Sequence, residues 1–185
     1  MKTLSIKPLN SFQIIVLGFA GVILAGALLL MLPVSSATHC VTPFLNALFT
    51  STTSVCVTGL IVVDTGTYWS VFGQAVILVL IQIGGMGVVT VAAAVTIISG
   101  RKIGLMQRST MQEAVAAPKM SGIVRLTGFI IRATFLIELS GAALLAPVFC
   151  RDFGPVRGLW MAVFHSISAF CNAGFDLMGN TEKYI

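Results

Sequence analysis

Three long apolar runs constrain this chain more than any other feature. Residues 12–32 and 69–99 hold no charged side chain, and residues 123–149 hold only Arg125, Arg132 and Glu138. As helix, each is long enough to cross a hydrocarbon core, which takes about 20 residues. Apolar residues make up 57% of the chain and charged residues 9%, against roughly 25% charged in soluble domains. No soluble core of this size hides that much apolar surface, so the solvent implied is lipid. The first run exceeds the apolar stretch of about 7–15 residues in a secretory signal, and further spans follow it; it reads as a retained helix ended by Pro33. The second run is longer than a bilayer requires, so it is expected to tilt, bend or project.

The net charge of +5 is distributed as a topology signal. Lys2 and Lys7 precede the first run, and Arg101, Lys102, Arg108 and Lys119 lie between the second and third, with Arg125 at the start of the third and only Glu113 opposing them over 100–125. Residues 33–68 contain no lysine or arginine. Because cytoplasmic loops carry the basic excess, the N-terminus and residues 100–125 are expected inside. A nucleic-acid surface would need groove-reading or stacking neighbours around its basic residues; these are missing. Cys40, Cys56, Cys150 and Cys171 show no C-x-x-C spacing and no histidine partners at metal-site spacing. A Cys40–Cys150 bridge is conceivable, and free thiols are the preferred reading.

Two shorter segments lie between the runs. Residues 42–54 open with Thr42, a good N-cap, and Pro43, suited to a first turn. They lead into Ser51-Thr52-Thr53-Ser54-Val55-Cys56-Val57-Thr58-Gly59, a small, polar and β-branched stretch expected to be poor material for continuing a helix. Residues 157–169 have the same character and lead into Cys171-Asn172-Ala173-Gly174. Irregular backbone at membrane depth is tolerated only inside protein or around a water-filled cavity, so both read as re-entrant loops entered from outside. A shift of 115 residues lays Phe49, Ser51, Cys56 and Gly59 on Phe164, Ser166, Cys171 and Gly174, four identities in eleven positions. That pattern implies duplicated units of span, short helix, loop and span. The expected organisation is a first unit over 1–99, a basic cytoplasmic connection over 100–122 and a second unit over 123–185 that lacks its closing span.

Such loops suit a dehydrated cation. Backbone carbonyls can replace an ion's water, glycine tolerates the dihedrals that aim them, and helix C-termini pointing at the ion favour positive charge. The ordered motifs Phe49–Gly59, Asp64-Thr65-Gly66, Phe72-Gly73-Gln74, Ile81-Gln82-Ile83-Gly84-Gly85-Met86-Gly87, Arg101–Leu105, Gln112-Glu113-Ala114 and His165–Phe175 resemble the Trk/Ktr/HKT superfamily of potassium transporters. The detail is most similar to the bacterial Ktr-type membrane subunit, and the likeness extends over nearly the whole chain from the first span onward. The resemblance implies an all-α integral membrane protein of span–pore helix–filter loop–span repeats, four to a complete subunit, with the first present here and the second truncated. It implies that Gly59 and Gly174 are filter glycines, and that Cys56, Val57, Thr58, Cys171, Asn172 and Ala173 offer carbonyls to potassium. It further implies a multi-pass plasma-membrane location, a homodimer of full-length subunits, a cytosolic nucleotide-binding regulatory subunit and sodium dependence, with no cofactor bound by this chain. Gly59 favours potassium, since some sodium-preferring plant relatives carry serine there. The alternatives are a sodium-permeable relative and a truncated, non-conducting fragment with an assembly role.

Other residues carry plainer expectations. Asp64 and Asp176 follow the two loops and either enrich cations at an outer mouth or are solvated loop acids, Asp176 being the stronger candidate. Gly84-Gly85-x-Gly87 lacks the Lys-Ser/Thr of a phosphate loop and reads as close helix packing or a flexible point. Gln82 is expected to hydrogen-bond between helices. Glu138 and Arg132 are costly within a span and often functional; structural pairing is preferred, with cation coupling at Glu138 the minority reading. His39 and His165 are isolated, His165 as a packed and hydrogen-bonded residue. No nucleophile–base pair or paired carboxylates are present, so an enzyme is not expected.

Overall fold

The computed structural model describes residues 11–87, 90–91, 105–114 and 123–179, and these are helical apart from short connections and one isolated bridge, Ser36 to Trp69. Helix α1 (Ser11–Met31) has a mean hydropathy of 2.8 over Phe12–Met31. It buries Ala27 and Leu30 completely yet exposes Leu17, Leu24 and Leu28. A helix apolar on its exposed face as well as its buried one is built for lipid. Pro33 closes it and opens a single 3-10 turn, Pro33–Ser35.

Helix α2 (Phe44–Val55) starts one residue later than the Thr-Pro pair implies. Pro43, extended at ψ 138°, takes the cap position, and no side chain caps the helix. Thr42 is displaced from capping: it is fully buried, and its hydroxyl accepts a 3.3 Å hydrogen bond from the Tyr68 hydroxyl. Asp64 caps the short α3 (Thr65–Tyr68). Ser70 caps α4 (Val71–Met86), accepting from Gly73 N at 3.2 Å and donating to Val34 O at 2.5 Å.

The expected second span is interrupted. Gly87, at φ +82°, ends α4 after 16 residues, about 24 Å of helix. Residues 90–91 are again helical; the rest of the run to 99 lies outside the described residues, as do Lys2, Lys7, Arg101, Lys102 and Lys119. Among the described residues, two helices are long and apolar enough to cross a membrane, Phe12–Met31 and Val124–Phe153.

After α5 (Leu105–Ala114) comes α6 (Ile123–Phe153), 31 residues with Pro147 inside it. At about 46 Å it overshoots the hydrocarbon core. Gly154, φ +83°, turns the chain directly into α7 (Pro155–Phe170), with Pro155 in the first turn, where its missing N–H costs nothing.

Helix α1 packs on α2, α6 packs on α7, and α4 touches both short helices. Leu30, Ala47, Val55, Trp69, Ile77, Ile81, Met161 and Phe164 form the shared core. Each long helix meets its short partner through the same contact. Ser51 Oγ donates to Ile23 O at 2.7 Å, and Ser166 Oγ donates to Glu138 O at 2.6 Å. A Cβ on Gly26 would lie 2.5 Å from Ser51 Oγ, and one on Gly141 would collide with Ser166 Oγ. Every residue of the second set follows its counterpart by 115 positions. A polar chain also joins α4 to α7: Trp160 Nε1 donates to Gln74 Oε1 at 2.8 Å, and Gln74 Nε2 donates to Trp69 O at 3.1 Å.

Candidate ion-conduction site

Helices α2 and α7 stop in the same way. Cys56 and Cys171 sit just past the last turn with right-handed helical dihedrals, their N–H groups donating to Thr52 O at 2.8 Å and Ile167 O at 2.9 Å. The next residue crosses into the left-handed region in both loops, Val57 at φ 54° and Asn172 at φ 57°. A β-branched residue there is a genuine outlier, costing about 1–2 kcal/mol. Backbone hydrogen bonds hold the bend: Thr58 N donates to Thr53 O at 3.0 Å, and Ala173 N donates to Ser168 O at 2.7 Å. A hydroxyl then receives the outgoing chain, Leu60 N donating to Thr53 Oγ1 at 3.0 Å and Phe175 N to Ser168 Oγ at 3.1 Å. Thr53 Oγ1 also lies 2.6 Å from Thr58 Oγ1, while Ser168 Oγ donates to Phe175 O at 2.6 Å.

These bonds leave a one-sided backbone. The amides of Cys56, Thr58, Cys171, Asn172 and Ala173 are tied to the ends of their own helices. Among the described residues, no hydrogen bond is made to the carbonyl of Cys56, Val57, Thr58, Gly59, Cys171, Asn172, Ala173 or Gly174. Of these eight residues Ala173 is buried, Val57, Gly59 and Cys171 are half-buried, and Cys56, Thr58, Asn172 and Gly174 are exposed, so the two adjoining loops present carbonyls that are open to water or an ion rather than tied into the protein. The loops meet at their glycines, Gly59 at φ +73° and Gly174 at φ +71°. A Cβ on Gly59 would lie 2.9 Å from Ala173 O and 3.3 Å from Gly174 Cα, and one on Gly174 would lie 3.1 Å from Gly59 Cα. Backbone approach this close admits only glycine. The C-termini of α2 and α7 both end at this meeting point, so their partial negative charges add there.

Neighbouring residues support the loops. A Cβ on Gly84 would collide with the Val55 carbonyl and one on Gly85 with Cys171 Sγ, so these glycines serve close packing against both loops. His165 Nε2 accepts from Leu177 N at 3.3 Å, which leaves the proton on Nδ1 to donate to Met161 O at 2.8 Å; Phe149 packs on the ring with centroids 5.0 Å apart. His165 therefore pins the chain beyond Gly174. Gln82 Nε2 donates to Glu138 Oε1 at 2.8 Å, the interhelical bond expected of Gln82. Asp64 is occupied locally, its Oδ1 accepting from Thr67 N and Thr67 Oγ1, each at 2.8 Å. Asp176 is exposed and accepts from Met178 N at 2.9 Å. All four cysteines are free, Cys40 and Cys150 included. The supporting roles of Thr53, Ser168 and Gln74 were not foreseen; the same 115-residue shift aligns Thr53 with Ser168, two hydroxyls, and is the signal that finds that pair.

Comparison with known proteins settles the family. Residues 4–184 match the TrkH model, described as a cation transport protein. The chain belongs to the TrkH cation transport family. It is 41% identical over 175 residues to the potassium/sodium uptake protein NtpJ of Enterococcus hirae, covering 95% of this chain and 39% of that protein. It is 44% identical over 174 residues to the Ktr system potassium uptake protein B of Bacillus subtilis, covering 94% of this chain and 39% of the relative. The protein of the same name from Vibrio alginolyticus is 37% identical over 169 residues, covering 91% of this chain and 37% of the relative. This TrkH-family chain thus spans less than two fifths of the length of these relatives and matches a cation-transport family rather than an enzyme family. Membrane location follows from the family and the two apolar helices.

Proposed function

We propose that this chain supplies two strands of a carbonyl-lined selectivity filter, within a protein that takes up potassium across the plasma membrane. The free carbonyls of Cys56–Gly59 and Cys171–Gly174, set between two helix C-termini, carry this reading. A dehydrated cation gives those oxygens the partner they lack, and the strained Val57 and Asn172 aim them. On this reading α2 and α7 are pore helices within duplicated units, as the contacts repeated at a spacing of 115 residues support. The units are 1–99 and 123–185, joined by a cytoplasmic 100–122, with the N-terminus inside. Asp176, and beyond its capping role Asp64, contribute negative charge at the outer mouth.

A filter needs carbonyls from about four strands around the axis. Two strands per chain therefore imply further pore loops in the working protein, and the Ktr-type likeness implies a homodimer, a cytosolic nucleotide-binding regulatory subunit and sodium dependence. Sodium permeation is a second reading, favoured by the potassium/sodium uptake named for the Enterococcus hirae relative; Gly59 weighs for potassium.

The test is a chimaera in which this chain replaces the matched part of the Bacillus subtilis relative, expressed in a strain deficient in potassium uptake. Growth at limiting potassium is expected from the chimaera. Residues 1–185 expressed alone and inserted in the membrane are expected to give no rubidium uptake above empty vector. A correctly inserted chimaera with no uptake counts against the filter reading, and uptake by residues 1–185 alone overturns the strand count.

A further inference from the structure

Glu138, buried, and Gln82, half-buried, meet between α6 and α4, each with one buried oxygen left unpaired. Glu138 lies midway along α6, 3% exposed. Its Oε1 accepts from Gln82 Nε2 at 2.8 Å, while Glu138 Oε2 and Gln82 Oε1 are both buried without a partner. An ionised carboxylate can only accept, and an amide oxygen can only accept. Two orphaned acceptors beside one satisfied bond is a costly arrangement in a low-dielectric interior.

One proton resolves both. A carboxylic acid donates through its O–H and accepts through its C=O; a primary amide does the same through N–H and C=O. With a proton on Oε2, the acid donates to Gln82 Oε1 while Gln82 Nε2 donates to Glu138 Oε1, closing an acid–amide ring. An alkali cation fits less well, because it requires more oxygens than the two left over, whereas a proton is shared by two.

We propose that Glu138 is a proton-binding site: it is a neutral carboxylic acid at neutral pH and closes a two-bond pair with Gln82 that ties α6 to α4 beside the Cys171 loop. Among the described side chains, none brings a competing charge to the pair. Helix α4 carries no titratable group. Helix α7 brings Arg157, which stacks on Phe153 near its start, and His165, with both ring nitrogens engaged. At the end of α7 the Cys171 thiol packs on Gly85, about one turn of α4 beyond Gln82. On α5, Glu113 is exposed, and the side chain of Arg108 lies outside the described ones. On α6 itself Arg132 and Arg151 are exposed, Arg125 lies more than three turns away in sequence, and Cys150 and Asp152 are at the far end. Losing the proton would place a buried anion next to a loop whose carbonyls face the candidate ion path, so occupancy of this site links pH to that path.

Infrared spectroscopy of the chain in lipid bilayers tests the pairing without reference to conduction, so its failure is separable from failure of the filter reading. A hydrogen-bonded carboxylic-acid C=O band is expected at neutral pH, shifting in D2O, lost in Glu138→Gln and moved in frequency by Gln82→Leu. Should Glu138→Gln fail to insert, 13C labelling of the glutamate side-chain carboxyl carbon in the unmutated chain must shift the same band. The band must also survive saturating sodium or potassium at constant pH. Absence of the band at neutral pH, its persistence in Glu138→Gln, its indifference to Gln82→Leu, or its collapse on adding either cation overturns the proposal.

Discussion

Gly59→Ser tests the meeting point of the two loops most directly. At φ +73° a side-chain-bearing residue costs roughly 1–2 kcal/mol. The added Cβ would stand 2.9 Å from Ala173 O and 3.3 Å from Gly174 Cα, both backbone atoms with no flexible side chain to yield. The strain is therefore relieved by rotating the Ala173 carbonyl, which removes one of the proposed ligands. A loss of about 1.4 kcal/mol in differential ion binding corresponds to about a tenfold fall in the preference for potassium over sodium. Gly66, in α3, is an unsuitable control, because its Cβ would come within 2.7 Å of Leu177 O. Gly21, exposed on α1 with nothing within 4 Å, is suitable. The assay is the potassium-to-sodium uptake ratio of the chimaera carrying each change, at matched membrane abundance. Equal ratios for Gly59→Ser and Gly21→Ser would refute the placement of Gly59 in the filter.

Two further outcomes follow from the same geometry. Ser168→Ala strips both hydroxyl bonds from the Phe175 backbone, at about 1–3 kcal/mol for each buried group left unpaired; a lower thermal midpoint in detergent is expected, and an unchanged one counts against that hydroxyl as the brace of the second loop. Arg108→Cys, in a background with Cys40 and Cys56 replaced because both are exposed, should resist an impermeant thiol reagent applied to intact cells; labelling from outside would invert the orientation.

The elements were largely legible because their signals are local. A charge-free run such as 12–32 becomes helix in lipid whatever packs beside it, whereas the small, polar and β-branched residues Ser51–Val55, expected to break a helix, continue α2, because hydroxyls such as those of Ser51, Thr52 and Ser54 donate to backbone carbonyls and the helix ends only at Cys56. Boundaries that depend on a partner were less legible. Thr42 has the chemistry of a cap, yet Tyr68, 26 positions on, draws its hydroxyl away. The run 69–99 is expected to tilt, bend or project, yet the place of the interruption was not legible, since each glycine of Gly84-Gly85-x-Gly87 reads equally as packing and as a flexible point until the φ of +82° at Gly87 is seen.

The candidate site divides along the same line. The sequence alone determined that Gly59 and Gly174 occupy equivalent places in two similar segments, because identity at a 115-residue spacing is a property of order along the chain. Only the tertiary structure brought the two glycines into backbone contact, tied the loop amides back to their helices while leaving the carbonyls free, and set Gln82 against Glu138 from a different helix. Those outcomes depend on distances between residues far apart in sequence, and such distances are chosen by the close approach of α1 to α2 and of α6 to α7, which no local pattern of residues encodes.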